Sequence, residues 1–184
     1  HEYKRQLLTA MHCDGEKAER GTIGLPLSLG MYELLPLWYG IFKSLGFRVI
    51  HSGLSSRQIY EKGHFSIPSD TACYPAKIMH GHIELLLERG VDAIFYPCLT
   101  YNFDEGISDN HYNCPVVAYY SDLLRGNMDE LKNTTFLCPF LNINNEKELS
   151  KELKKHLEPL ASIPLGKVKK AVSSGFKAHN DYRD

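Results

Sequence analysis

The chain has 184 residues, of which 43% are hydrophobic and 23% charged, with a formal net charge of −1. This length and composition fit one globular domain with a full core. The sequence contains no basic run with interleaved aromatic residues, no apolar run of about 20 residues and no basic-then-apolar leader. We therefore expect a cytoplasmic protein that binds neither nucleic acid nor membrane.

The order of the first elements predicts an α/β fold. Residues 1–20 are polar and form a flexible or loosely helical lead-in. The pattern then predicts a strand at 22–27, a helix over 31–45 that begins near Pro36, a strand at 47–50 and a helix over 55–63. Strands and helices that alternate with short connections indicate βαβ units and a mostly parallel sheet. In such sheets, ligands bind at the carboxyl ends of the strands.

The remaining elements continue this pattern. We predict a helix that begins near Pro75 and ends before Gly90, and a central strand at 92–97. A polar loop over 99–113, an apolar run at 115–120 and a strand at 136–140 follow. An amphipathic helix over 145–157 and a final helix over 168–184 close the chain. The predicted domain covers 21–160, and 161–184 would be a C-terminal helix that leads onward into a missing domain.

Three of the five cysteines stand at predicted element boundaries, each with a proline within two residues. Cys73 directly precedes a helix, whose N-terminus favours a thiolate. Cys98 follows the central strand, and Cys114 ends the long loop. Because a functional loop of about 15 residues often folds back over its domain, Cys114 would reach the same sheet edge. The odd cysteine number favours ligand or free-thiol roles over disulfides.

Spacing alone leaves several roles open for these cysteines. Successive residues from Cys73 through Cys98 and Cys114 to Cys138 are separated by 24, 15 and 23 residues, without a Cys-x-x-Cys pair. The thiols could hold an iron–sulfur cluster, with a fourth ligand from Cys138, a water, a substrate or another subunit. They could also form a zinc site completed by His111 or Cys138, or simply pack at buried strand ends.

The histidines of this stretch add further alternatives. His111 could donate to a cluster sulfur, protonate a substrate or cap the loop. His80 and His82 lie roughly 200° apart on a helix, so one metal ion cannot bind both. The sequence has neither of the glycine-rich loops that cradle nucleotide phosphates.

Six separated motifs carry a family resemblance. They are Met31-Tyr-Glu with Pro36 and Trp38, Leu45-Gly-Phe-Arg-Val, Ile67-Pro-Ser with Cys73-Tyr-Pro-Ala-Lys77, His80-Gly-His82, Phe95-Tyr-Pro-Cys98 and Asn110-His-Tyr-Asn-Cys-Pro115. In this order they resemble the 2-hydroxyacyl-CoA dehydratase superfamily. More narrowly, they are similar to the domain of unknown function in large CoA-substrate-specific enzyme activases. The likeness covers residues 21 to about 160.

The resemblance implies a flavodoxin-like (Rossmann-like) three-layer fold and an iron–sulfur centre. Cys73, Cys98 and Cys114 would hold a 4Fe–4S or double-cubane cluster that is lost in an aerobic preparation, with His111 beside it. Cys138 matches no fixed cysteine of the family.

The resemblance also implies a partner, an ATPase activator domain or subunit that delivers low-potential electrons. This chain would then receive or relay electrons in an ATP-coupled reductase or dehydratase system. A homodimer and a CoA-thioester substrate are further expectations. The alternative is a non-redox module that binds a CoA thioester or a partner domain.

Overall fold

The computed structural model describes residues 2–11 and 18–183. Cys13 and the rest of 12–17, which belong to the predicted lead-in, lie outside these described residues. The helices are α1 (Glu2–Ala10), α2 (Gly30–Glu33), α3 (Leu35–Ser44), α4 (Arg57–Gly63), α5 (Tyr74–Glu88), α6 (Pro115–Asn127), α7 (Glu146–Leu157) and α8 (Leu165–Arg183). The strands are β1 (Thr22–Leu25), β2 (Arg48–His51), β3 (Ala93–Phe95) and β4 (Thr135–Leu137), and two short 3-10 helices cover His64–Ser66 and Asp129–Asn133.

The four strands form one parallel sheet in the order β2-β1-β3-β4. Helices cover the sheet, which confirms the predicted α/β fold and agrees with a flavodoxin-like three-layer architecture. The strands are only three or four residues long. Every residue of β3 is buried, as expected for a central strand covered on both faces.

The two faces of the sheet are packed differently because successive strand residues point to opposite sides. On one face, the ring of Phe95 makes edge-on contacts with Trp38 and Phe42 of α3, at centroid distances of 4.9 and 4.8 Å. On the other face, Gly24 lies under Leu86 of α5. Trp38 stands at helical spacing with the other apolar residues of 31–45, a pattern that predicts a core position, and its side chain is fully buried.

The predicted helix over 31–45 is divided in two. Leu34 lies between α2 and α3 with φ −90° and ψ 5°, and Pro36 occupies the first turn of α3. Proline is favoured there because its missing N–H would have no helical partner. Gly46, with φ 82°, follows the helix as a C-terminal cap. The second strand lies one residue later than predicted.

Helix α8 has 19 residues and packs along α3. The two helices approach at Gly40 and Gly175, where a β-carbon on Gly175 would lie 2.5 Å from Ile41 Cγ1 and 2.6 Å from the carbonyl oxygen of Leu37. Only glycine permits so close an approach of the two backbones. Helix α8 is therefore packed closely against α3, which covers one face of the sheet.

This contact predicts the effect of two matched substitutions in α8. Gly175→Ala should lower the free energy of unfolding by about 2–3 kcal/mol, because the added methyl group overpacks the α3–α8 contact. Gly166→Ala is the control, since no atom lies within 4 Å of the added carbon, and it should raise stability by up to about 1 kcal/mol. Urea unfolding followed by circular dichroism measures both; equal effects would contradict the packing argument.

Candidate functional site

The three predicted cysteines all lie at the carboxyl edge of the sheet. Cys73 and Cys114 are the N-cap residues of α5 and α6. Cys98 follows β3, and its backbone pairs with the segment after β4: its N–H donates to the carbonyl of Pro139 at 2.8 Å, and its carbonyl accepts from the N–H of Leu141 at 3.1 Å. Three separate segments thus bring thiols to one edge.

The start of α5 is fixed at this edge by the end of β1. Ser28, three residues after β1, donates its hydroxyl to the carbonyl of Pro75 at 2.8 Å. Next to it, Leu29 has φ 50° and ψ −141°, a combination that favours glycine. Backbone strain of this kind often persists where a functional site fixes the chain.

The loop before Cys114 folds back on itself. Tyr101 and Tyr112 form an antiparallel bridge, and their hydroxyl groups are 2.8 Å apart. The N–H of Asn113 donates to the carbonyl of Thr100 at 2.9 Å, and its side-chain amide donates to the carbonyl of Leu99 at 2.9 Å. These bonds bring the end of the loop beside its beginning, so Cys114 stands close to the segment that carries Cys98.

The thiols differ in environment. Cys98 is buried, its sulfur lies 2.9 Å from Ser121 Oγ of α6, and burial raises its pKa, which the Ser121 hydroxyl partly offsets. Cys73 and Cys114 are exposed. The sulfur of Cys114 accepts from the N–H of Val117 at 3.5 Å, in the first turn of α6, where backbone donors have no helical partner. Two thiols therefore face outward and one lies beneath them.

Tyr96 links the three thiols. It precedes Cys98 by two residues in extended backbone, its side chain is 2% exposed, and its buried hydroxyl has no hydrogen-bond partner among the described residues. Burial raises the pKa of Tyr96, and negative charge on Cys98, Tyr120, Cys114 and Cys73 raises it further. All three cysteines therefore lie within electrostatic range of one buried hydroxyl, whose lack of a partner costs about 1–3 kcal/mol.

The thiols are not arranged around a single metal ion. Within 2–11 and 18–183, no three His, Cys, Asp or Glu side chains lie close enough together to hold one. Sulfur ligands of a tetrahedral zinc ion lie about 3.8 Å apart, given a Zn–S bond of about 2.3 Å. The described side chains therefore do not form the structural zinc site that the sequence left as an alternative.

A chain of hydrogen bonds approaches the site from α5. Ser66 Oγ donates to the carbonyl of Gly63 at 3.0 Å and lies 2.9 Å from His80 Nδ1. Because Ser66 donates its hydroxyl proton to Gly63, its oxygen can only accept the hydrogen bond from His80. Nδ1 is therefore the protonated nitrogen of His80. Its Nε2, 2.9 Å from the Tyr120 hydroxyl, then accepts the proton of Tyr120. The imidazole is neutral, since burial lowers the pKa of His80 to about 4.

His82 has a separate set of partners, which agrees with the predicted divergence of the two histidines. Its Nδ1 lies 2.6 Å from Ser52 Oγ, and its Nε2 lies 2.9 Å from Ser55 Oγ. Ser52 Oγ also accepts from the N–H of Leu27 at 2.8 Å. Burial lowers the pKa of His82 to about 4. This histidine therefore joins the loops that follow β1 and β2, away from the cysteines.

Cys138 lies within electrostatic range of the buried thiol of the site. It is half-buried, burial raises its pKa, and the charges of Arg125, Cys98 and Asp122 also act on it. Arg125 and Asp122 act on Cys98 as well, and they are about 12–17 Å along α6 from Cys114, at 1.5 Å per residue. The predicted role of Cys138 as a further ligand therefore stays a prediction, which its own variant tests.

His111 lies on a cleft of about 560 Å³ that adjoins the loop before Cys114. Its ring centroid is 5.4 Å from that of Tyr101. Glu33, Asp104 and Glu105 also line the cleft, as does His179, whose buried Nδ1 has no partner within the described part of the chain. The structure thus places His111 beside a cavity, and its predicted role near a cofactor stays a prediction.

Sequence reasoning overlooked Tyr96, Tyr120 and Ser121. Tyr96 could have been found from the Tyr-Pro-Cys motif, because residues two apart in an extended segment share a face. Tyr120 and Ser121 carry no such signal, since only the docking of α6 brings them to His80 and Cys98.

The two buried histidines predict a pH dependence of stability. Their folded-state pKa of about 4 is below the value of about 6.5 in an unfolded chain. Their stabilisation is therefore complete above pH 6.5 and is lost as the pH falls towards 4. We expect the free energy of unfolding to fall in this window, and His82→Gln to reduce the fall.

Urea titrations between pH 7.5 and 4.5 measure this dependence. His64→Gln, at an exposed position, is the control and should keep the wild-type slope. A slope that His82→Gln leaves unchanged would show that other groups govern the acid lability.

None of the described helices is long and apolar enough to cross a membrane.

Comparison with known proteins gives one family. No curated protein and no solved structure matches the chain. Residues 22–184 match the family described as CoA enzyme activase uncharacterised domain (DUF2229), and this description suggests an associated enzyme as partner. Because the match spans most of the sequence, including the thiol edge, the chain belongs to the CoA enzyme activase uncharacterised domain family.

Proposed function

We propose that Cys73, Cys98 and Cys114 hold an iron–sulfur cluster and that this domain relays low-potential electrons in a CoA-enzyme activase system. One observation carries the proposal: thiols from three separate segments stand at one edge of the sheet, within electrostatic range of a single buried hydroxyl, that of Tyr96, which has no partner among the described residues. A polar group buried without a partner is rare in folded proteins and calls for an explanation such as a bound group.

The donor set suits such a cluster. Cysteine thiolates are the usual ligands of iron–sulfur clusters. In a polynuclear cluster each thiolate binds a different iron, so the sulfur atoms lie farther apart than around one zinc ion. The spread of the three thiols therefore disfavours a single ion and leaves room for a cluster. When bound, the cluster would supply one-electron transfer.

The surrounding residues would tune and orient the cluster. Cys98, beneath the other two thiols, is shielded from solvent and hydrogen-bonded to Ser121. Cys73 and Cys114 stand at helix N-termini, whose unpaired N–H groups and dipole favour a negatively charged group. Hydrogen bonds and burial of this kind set the potential of a cluster. A fourth ligand would be water, a substrate or a group from another subunit.

The exposure of two thiols at the carboxyl edge of the sheet supports a role for this domain between an electron donor and an electron acceptor. Cys73 and Cys114 lie at the surface, so a redox partner can approach them closely. The sequence has no phosphate-binding loop of the glycine-rich kinds, which assigns ATP hydrolysis to the activator. The domain would accept electrons from that activator and pass them to the enzyme that acts on the CoA substrate.

Anaerobic reconstitution tests the cluster directly. We expect stoichiometric iron and acid-labile sulfide, with visible absorption, in the wild-type chain. Cys73→Ala, Cys98→Ala and Cys114→Ala should each lose most of this iron, because each removes a ligand. Cys138→Ala should keep it, because Cys138 is not one of the three proposed ligands, although it lies within electrostatic range of Cys98.

The contrary outcomes are distinct. A folded wild-type chain that takes up no iron would overturn the cluster. Iron loss in Cys138→Ala would add this residue to the ligands. Binding of zinc in place of iron and sulfide, with loss in the same three variants, would indicate a metal site without a redox function.

The cleft of about 560 Å³ supports a second candidate function, the binding of a CoA thioester. Its volume is within the range of about 300–1,000 Å³ that is usual for small-molecule sites. Glu33, Asp104 and Glu105 line it, and Arg183 is paired with Glu105. This acidic lining repels phosphate groups, so the uncharged acyl-pantetheine arm, and not the nucleotide, would enter.

Calorimetric titration with an acyl-pantetheine and the matching acyl-CoA tests this candidate. We expect both to bind the wild-type chain and Cys114→Ala, and neither to bind Ser108→Trp, which places a large ring in the cleft lining. Loss of binding in the cysteine variant would show that the thiols take part, and binding to Ser108→Trp would place the ligand elsewhere.

A further inference from the structure

The hydroxyl of Tyr96 belongs to the same face of the extended segment as Cys98, two residues further on, and bonds to none of the three thiols. Its oxygen is fully buried, and no sulfur or oxygen of the described residues lies at hydrogen-bond distance with suitable geometry. Tyrosine is protonated at neutral pH. Tyr96 therefore presents an O–H donor, and the described residues provide no acceptor.

The neighbouring hydroxyls are already engaged. The proton of Tyr120 is directed at His80 Nε2, because Ser66 makes Nδ1 the protonated nitrogen of that ring. Ser121 Oγ is paired with the sulfur of Cys98. Of the three buried hydroxyls beside the thiols, only that of Tyr96 is left to donate to a bound group.

We propose that the Tyr96 hydroxyl donates a hydrogen bond to the group held by Cys73, Cys98 and Cys114, and that this bond raises the reduction potential of that group. The inference rests on the proposed cluster. Reduction adds negative charge to the cluster, and a nearby O–H donor stabilises the more negative state. The buried position strengthens this effect, because the surroundings have a low dielectric constant.

Tyr96→Phe tests the inference, since it removes the hydroxyl and keeps the ring. We expect unchanged iron and sulfide content, and a reduction potential more negative than that of the wild type in an anaerobic titration. Tyr119→Phe is the matched control, because Tyr119 of α6 is exposed, with 47% of its surface accessible. The cluster of this variant should have the wild-type reduction potential.

Stability of the cluster-free chain gives a second readout. Because the Tyr96 hydroxyl has no partner in the protein, Tyr96→Phe without iron should unfold at the same or a higher urea concentration than the wild type. A lower midpoint would mean that a protein group accepts the hydroxyl proton, and would overturn the inference.

The remaining outcomes separate this inference from the proposed function. If both proteins carry the cluster and have equal potentials, the inference is wrong and the cluster assignment stands. If the folded wild type takes up no iron, the proposed function fails and this inference fails with it.

Discussion

The parallel pairing of β3 with β1 on one side and β4 on the other is the constraint on which the site depends. Parallel strands all end at one edge, and each following helix begins there. The residues after β3 continue alongside the segment after β4, which fixes Cys98. The starts of α5 and α6 then bring Cys73 and Cys114 to the same place. Thiols far apart in sequence meet because the strands share a direction.

Buried polar groups in this part of the fold are of two kinds. His80 and His82 have partners at both ring nitrogens, and their burial without a charge is therefore tolerated. Tyr96 is equally buried and has no partner among the described residues. Trp38 Nε1, Arg48 Nε and His179 Nδ1 are also buried without a partner among the described residues. Of these unpaired groups, the Tyr96 hydroxyl is the one that lies within electrostatic range of Cys73, Cys98 and Cys114.

The loop that ends at Cys114 joins two features of the edge. The hydrogen bonds of Asn113 to Thr100 and Leu99 hold Cys114 beside the segment that follows β3. Other residues of the loop line part of the cleft. Helix α8 supplies the opposite wall through His179, and its close packing on α3 at Gly175 holds that wall in place. The cleft therefore adjoins the loop that leads to Cys114.

The sequence by itself determined the α/β class, the burial of Trp38, the divergence of His80 and His82 and the placement of the cysteines at element boundaries. These follow from hydrophobic periodicity, from proline at helix starts and from helix geometry, which are all local. The tertiary structure alone decided that α2 and α3 separate at Leu34, that α6 brings Tyr120 to His80 and Ser121 to Cys98, and that the buried hydroxyl of Tyr96 has no partner among the described residues. Such contacts depend on how distant segments pack, and no short stretch of sequence encodes the partner that a buried hydroxyl will have or lack.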